Sequence, residues 1–169
     1  MGKAIRYQYY VEGEDEKKLL EVLKQDLRCI RAGKVDIFNV IQNQFTSMRI
    51  RPLKPGTVVI LVYDTDVDHV DILQRNIIFL QKQNAIKEIV CIPQVKNLEE
   101  ELVYACQIKN VSELTHSHTK KDYKRDLIDC NNLGIRLRKC DFKITKFWSQ
   151  LPANRFGVWG NDAGKIKLE

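Results

Sequence analysis

An α/β fold, with a mainly parallel central sheet flanked by helices, is predicted by three features of this sequence. The aliphatic run Val58 to Val62 lacks the polar alternation of a half-exposed strand, so it reads as a strand covered on both faces, as in a parallel sheet. Segments with Leu and Ile at helical spacing follow the strand-like runs in a repeated order. Breaks containing Gly, Pro or Asn separate the two kinds of segment. The resulting order, β-α-β-loop-β-α-β-α, is the order of crossover units.

Each element has its own signal. Residues 5–13, IRYQYYVEG, are aromatic and β-rich and stop at Gly13, which predicts a strand and a turn. Residues 14–30 place Leu19, Leu20, Leu23 and Leu27 on one helical face, and the acidic first turn suits the positive end of the helix dipole. VDIFNVI, residues 35–41, is a short second strand. Residues 42–56 form a loop or short helix, broken by Pro52 and by Pro55-Gly56. After the third strand, VDILQRNIIFLQKQN carries Ile72, Leu73, Ile77 and Leu80 at helical spacing. EIVCIPQV, residues 88–95, is a fourth strand, and Asn97 caps a helix that opens with three glutamates.

Composition bounds the possibilities. A chain of 169 residues with 44% hydrophobic content can bury one core and carry a small appended lobe. No apolar stretch approaches the roughly 20 residues of a membrane span, and the N-terminal residues lack the apolar core of a signal peptide, so a cytoplasmic location without membrane contact is expected. Five widely spaced cysteines, Cys29, Cys91, Cys106, Cys130 and Cys140, read as reduced thiols. His116 and His118 lie two apart without a Cys or Glu-x-x-His partner and read as loop residues.

Charge divides the chain. Residues 1–108 hold 15 Lys and Arg against 15 Asp and Glu, whereas residues 109–169 hold 13 against 7, so the formal +6 belongs to the final third. A division into residues 1–108 and a basic, mainly helical extension of residues 109–169 is expected. Lys120, Lys121, Lys124, Arg125, Arg136, Arg138 and Lys139 are the candidates for contact with a nucleic-acid backbone. The aromatics between them, Tyr123, Phe142, Phe147, Trp148, Phe156 and Trp159, fit either base stacking or the core of a small lobe, and the core is favoured.

The third strand ends in carboxylates. In VILVYDTDVDHVD, Asp64, Asp66 and Asp68 stand at every second position, and period-two alternation would project them to one side, within reach of a shared cation. Oxygen ligands suit a hard divalent ion, Mg²⁺ or Mn²⁺. The same residues also suit a turn and the cap of the next helix. Glu12 ends the first strand, and ligands of parallel sheets gather at such carboxyl ends.

Two motifs together resemble a family. YYVEGEDEKKLL is similar to the first motif of Toprim domains, a hydrophobic strand ending in Glu-Gly before a helix, and VILVYDTDVD is similar to the second, a strand ending in Asp-x-Asp. The resemblance covers roughly residues 4–95. It implies a Toprim-like Rossmannoid domain in which Glu12 is the general acid or base and Asp64 and Asp66 are metal ligands, with Asp68 at a less uniformly used third position. Glu99 and Glu101 correspond to a further acidic residue of some nuclease relatives, although a solvated first helical turn is the preferred reading. Tyr9 and Tyr10 lie inside a strand and are not expected to act as a topoisomerase nucleophile. The implied activity is Mg²⁺- or Mn²⁺-dependent cleavage of DNA or RNA, in a stand-alone nuclease of the kind found in phage defence or mobile elements. The alternative is a non-catalytic nucleic-acid-binding or scaffold module working with a partner protein in repair or recombination.

Overall fold

The computed structural model describes residues 4–168. Its centre is a four-stranded sheet of β1 (Arg6–Val11), β2 (Lys34–Ile37), β3 (Thr57–Asp64) and β4 (Ile86–Gln94), in the order β2-β1-β3-β4 with every pairing parallel. The predicted α/β architecture is therefore observed. Helices α1 (Glu14–Gln25), α2 (Ser47–Ile50) and α3 (Asp71–Gln81) fall in the crossovers between strands, and α4 (Leu98–Ala105) follows the last strand, as expected. In the final third, α5 (Ser112–Thr115), α6 (Tyr123–Asp129) and α7 (Leu133–Lys139) are short, and single-turn helices span Lys120–Asp122, Arg155–Trp159 and Ala163–Lys165.

Both faces of the sheet are covered, which is why its central strand has no polar alternation. Tyr9, Val11, Ile60, Val62, Val90 and Ile92 pack with Leu19, Leu20 and Leu23 of α1 and Leu98 and Leu102 of α4. Tyr10, Val59, Leu61, Tyr63 and Cys91 face the other way, onto Leu73, Ile77 and Leu80 of α3 and onto Phe38, Phe45 and Ile50. Alternation along β3 gives Asp64 the parity of Ile60 and Val62, and hence the α1 side.

Several boundaries differ from the sequence expectation. The first helix ends at Gln25, and Arg28 adopts a left-handed φ of 51°. The stretch LIDCNNLGIRL, whose periodicity resembles one helix, is divided between α6 and α7, because Cys130 is extended and Asn131-Asn132 form the turn.

Residues beyond 108 belong to the same apolar cluster as the sheet, through Leu114, Tyr123, Leu127, Leu133, Leu137, Phe147, Trp148 and Ile166. Phe156 joins the cluster on the other face. Of the six aromatics that stacking would have used, Tyr123, Phe147, Trp148 and Phe156 are buried, and Phe142 and Trp159 pack partly buried against the core. The final segment also covers the exposed edge of β4, where the Asp162 amide donates to the Cys91 carbonyl at 2.9 Å. An uncovered edge strand is a template for unwanted pairing. The five cysteines are free thiols, and no helix among the described residues is long and apolar enough to cross a membrane.

Candidate metal centre

The sheet order places a topological switch between β1 and β3, since the chain leaves β1 toward one edge and β3 toward the other. Parallel α/β sheets open a crevice at the carboxyl ends of such a pair. Glu12 follows the last residue of β1, and Asp64 is the last residue of β3. The Asp64 amide donates to Glu12 Oε1 at 3.1 Å, which fixes one carboxylate directly against the neighbouring strand.

A third carboxylate comes from α1. Glu16 lies in its first turn, and Glu12, Glu16 and Asp64 each place an oxygen within 4.8 Å of the other two. Gly13 permits this approach. Its φ of −152° is ordinary extended backbone, but a Cβ there would stand 3.0 Å from Asp15 Oδ1 and 3.3 Å from Glu16 Oε2. A side chain there would press on the ends of these two carboxylates, so the glycine offers space rather than conformational freedom.

Burial makes the cluster electrostatically costly. Glu16 is 4% exposed, and burial, reinforced by the adjacent Asp15 carboxyl, pushes its pKa up to about 10. Burial and the charge of Glu12 raise Asp64 to about 8, although a hydrogen bond from Gln94 works in the opposite direction. Glu12 is raised as well, by burial, against the lowering effect of the Asp64 amide. Glu16 Oε2 and Asp15 Oδ2 are buried without hydrogen-bond partners. None of the ion pairs among the described residues reaches Glu12, Glu16 or Asp64. Clustered carboxylates with an orphaned buried oxygen fit a hard cation, which would supply the missing positive charge. The all-oxygen donor set suits Mg²⁺ or Mn²⁺.

The remaining aspartates are placed differently from the sequence expectation. Strand alternation stops at Asp64. Thr65 is buried, with Oγ1 donating to the Gln94 carbonyl at 2.9 Å, and Asp66 and Asp68 are exposed on the following loop. Asp66 contributes through its charge, which raises both Glu12 and Asp64, and it accepts a 3.5 Å hydrogen bond from Asn97. Asp68 is not part of the three-carboxylate cluster. Glu16, in contrast, belongs to the acidic first turn that the sequence assigns to the helix dipole, and the structure adds it to the cluster. Its signal was the spacing Glu12-x-x-x-Glu16 across a Gly at a strand-to-helix turn.

Glu101 departs from the expected solvated turn. It is fully buried, and it accepts the Val95 amide at 2.8 Å and the Trp148 amide at 3.2 Å, so it fastens the final segment to the end of β4. Glu99 instead lines a cleft of about 300 Å³ with Lys120 and Tyr123.

The basic candidates separate by environment. Partial burial alone would lower the Lys124 pKa, but the carboxylates of Asp15, Glu99, Glu16 and Asp64 outweigh it and hold the ammonium above the usual lysine range. Lys124 is therefore the member of the basic set that lies in the field of the acidic centre. Its neighbour Tyr123 is 1% exposed with an unpartnered hydroxyl, and burial followed by Glu99 and Asp15 raises that hydroxyl's pKa. Arg125 pairs with Asp122 and Asp126, Arg136 donates to the Thr115 carbonyl, and Arg138 donates to the Asp26 carbonyl. Lys120, Lys121 and Lys139 are exposed, and none of them forms an ion pair among the described residues.

No family model matches the chain, and no curated protein or solved structure matches it either.

Proposed function

We propose that the chain is a divalent-metal-dependent nuclease of the Toprim type, cleaving phosphodiester bonds in nucleic acid. The observation that carries this reading is the convergence of Glu12, Glu16 and Asp64 at the switch between β1 and β3, with Glu16 Oε2 buried and unpartnered. A bound Mg²⁺ or Mn²⁺ there would neutralise phosphate charge, polarise a phosphoryl oxygen and acidify a bound water.

The protein's own groups have separable roles in this proposal. Glu16 and Asp64 hold the cation, and Asp66 adds negative charge from the loop without entering the cluster. Glu12 lines a polar cleft, and burial holds its carboxyl above the usual carboxylate range, which suits a group that takes or gives a proton. Lys124 brings a cation close to the carboxylates, where a phosphate oxygen would otherwise meet only negative charge. Exposed Lys120 and Lys121 extend that positive surface.

The test is a panel of single- and double-stranded DNA and RNA incubated with Mg²⁺ or Mn²⁺, comparing wild type with Glu12→Gln and Asp64→Asn. Cleavage by wild type that each substitution suppresses is the expected result. Metal-dependent binding without cleavage of any substrate would instead favour the non-catalytic scaffold.

A further inference from the structure

We propose that the polar cleft opening beside Glu12 on the β2 side seats an unpaired nucleotide adjacent to the scissile phosphate, with Arg49 holding that nucleotide's phosphate. This rests on the nuclease reading and adds to it a substrate subsite. The cleft has a volume of about 640 Å³ and is lined by Glu12, Phe38, Asn39, Gln42, Asn43 and Arg49 among others. That lies within the size range of small-ligand sites.

Three features show that the wall is held in place. Asn76 of α3 is 1% exposed and accepts the Phe45 amide at 2.8 Å, while its own amide donates to the Val40 carbonyl at 2.9 Å and the Asn43 carbonyl at 2.8 Å. One buried side chain thus clamps the backbone across residues 40–45. Phe38 stacks on Phe45 with ring centroids 4.4 Å apart, and Tyr10 meets both rings edge-on. The Arg49 guanidinium lies 4.5 Å from the Phe38 ring centroid. A cation over an aromatic face is positioned without a carboxylate partner.

The donors are available. Arg49 forms no ion pair among the described residues, so its planar fork can meet a phosphate bidentately. Asn39 Oδ1 accepts the Ile41 and Gln42 amides, and no partner among the described residues engages its side-chain N–H donors. Gln42 and Asn43 are exposed. Side-chain amides present donor and acceptor together, which matches the edge of a base, and unpaired bases are the ones whose edges are accessible. Glu12, one carboxylate of the acidic centre, and the unpaired cation Arg49 both line the cleft, so a strand entering it would bring one phosphate to Glu12 and another to Arg49.

The experiment measures fluorescence anisotropy of labelled single-stranded DNA and RNA oligonucleotides in Ca²⁺ at several salt concentrations, with cut positions mapped separately in Mn²⁺. Arg49→Gln should weaken binding roughly tenfold and reduce the salt slope by about 0.7, the value for one phosphate contact on a single strand. Arg49→Lys should restore the slope without the full affinity. A Gln42→Ala, Asn43→Ala double variant should shift the preferred cut positions. If wild type binds and cuts while Arg49→Gln keeps wild-type affinity and slope, the subsite is overturned and the nuclease reading stands. If wild type neither binds nor cuts any oligonucleotide, both fail. Arg49 is exposed, so circular dichroism melts of these variants should match wild type closely enough to separate binding from folding.

Discussion

Gln94 donates its side-chain amide to Asp64 Oδ1 at 2.7 Å, across a parallel pairing whose register sets the two residues side by side. Its other end is fixed by Trp148, whose indole N–H donates to Gln94 Oε1 at 3.1 Å. An indole can only donate, so Gln94 must present its oxygen to Trp148 and its N–H to the carboxylate. That donor favours the charged form of Asp64 within a cluster that otherwise opposes it. Replacing Gln94 with Leu should weaken Mn²⁺ binding at neutral pH by roughly 10- to 100-fold, the usual cost of removing a ligand-orienting partner. Leaving the Trp148 N–H buried without an acceptor should also cost about 1–3 kcal/mol. Trp148→Phe should weaken the metal less. Isothermal titration with Mn²⁺ and thermal melts check both variants.

Removing Glu16 should separate stability from metal binding. At pH 7 the metal-free fold must keep this buried carboxyl protonated, against its ordinary tendency to ionise. Glu16→Gln should therefore stabilise the metal-free protein by on the order of 1–3 kcal/mol. It should also abolish the rise in melting temperature expected of wild type on adding Mg²⁺ or Mn²⁺. A metal response equal to that of wild type would remove Glu16 from the centre.

Stability should depend on pH with a definite sign. Glu16, at about 10, and Asp64, at about 8, have folded-state values above those of an unfolded carboxyl, so the fold binds more protons than the unfolded chain from about pH 5 upward. Stability should be highest toward the acid end of that window and fall as pH rises through 8 and toward 10. Each group that holds a proton only in the fold contributes up to about 1.4 kcal/mol per pH unit. Saturating Mg²⁺ should flatten the slope, because a cation replaces the protons. Thermal melts between pH 5.5 and 9 with and without Mg²⁺ test this, and a metal-free protein that becomes steadily more stable toward pH 9 would contradict it.

A methyl group at Gly13 should disturb the centre without disturbing the backbone. Its extended φ is open to any residue, but the added Cβ would crowd Asp15 Oδ1 and Glu16 Oε2. Gly13→Ala should keep a native circular dichroism spectrum while lowering Mn²⁺ affinity roughly tenfold, as expected for a displaced ligand. Unchanged affinity would show that the two carboxylates move aside freely.

Lys124 should have opposite effects on metal and polymer. Its charge lies in the field of the carboxylates, so Lys124→Gln should tighten Mn²⁺ binding by roughly two- to fivefold through lost repulsion. The same change should weaken oligonucleotide binding and flatten its salt dependence. Lys139→Gln, at the exposed last residue of α7, provides the comparison and should leave Mn²⁺ affinity unaltered. Mn²⁺ affinity left unaltered in the Lys124 variant, as in Lys139→Gln, would place its side chain outside the field inferred for it.

The sequence alone determined the crossover order and the positions of Glu12 and Asp64. Apolar runs and helical periodicity are local signals, and an acidic residue that ends such a run lies at a strand's carboxyl end wherever that strand is placed. What the alternation rule could not supply was the end of β3 at Asp64, which leaves Asp66 and Asp68 on an exposed loop. The tertiary structure alone decided that Glu16 meets the two strand-end carboxylates, because this depends on the seating of α1 against the α1-facing side of β3. It also brought Gln94 beside Asp64, Trp148 onto Gln94 and Lys124 into the acidic field. The hydrogen bonds join residues 30 and 54 positions apart, and Lys124 stands 60 positions from Asp64, in a final third that packs into the core of the sheet. Parallel register and helix packing are settled by long-range burial, which leaves no periodic trace around the residues it brings together.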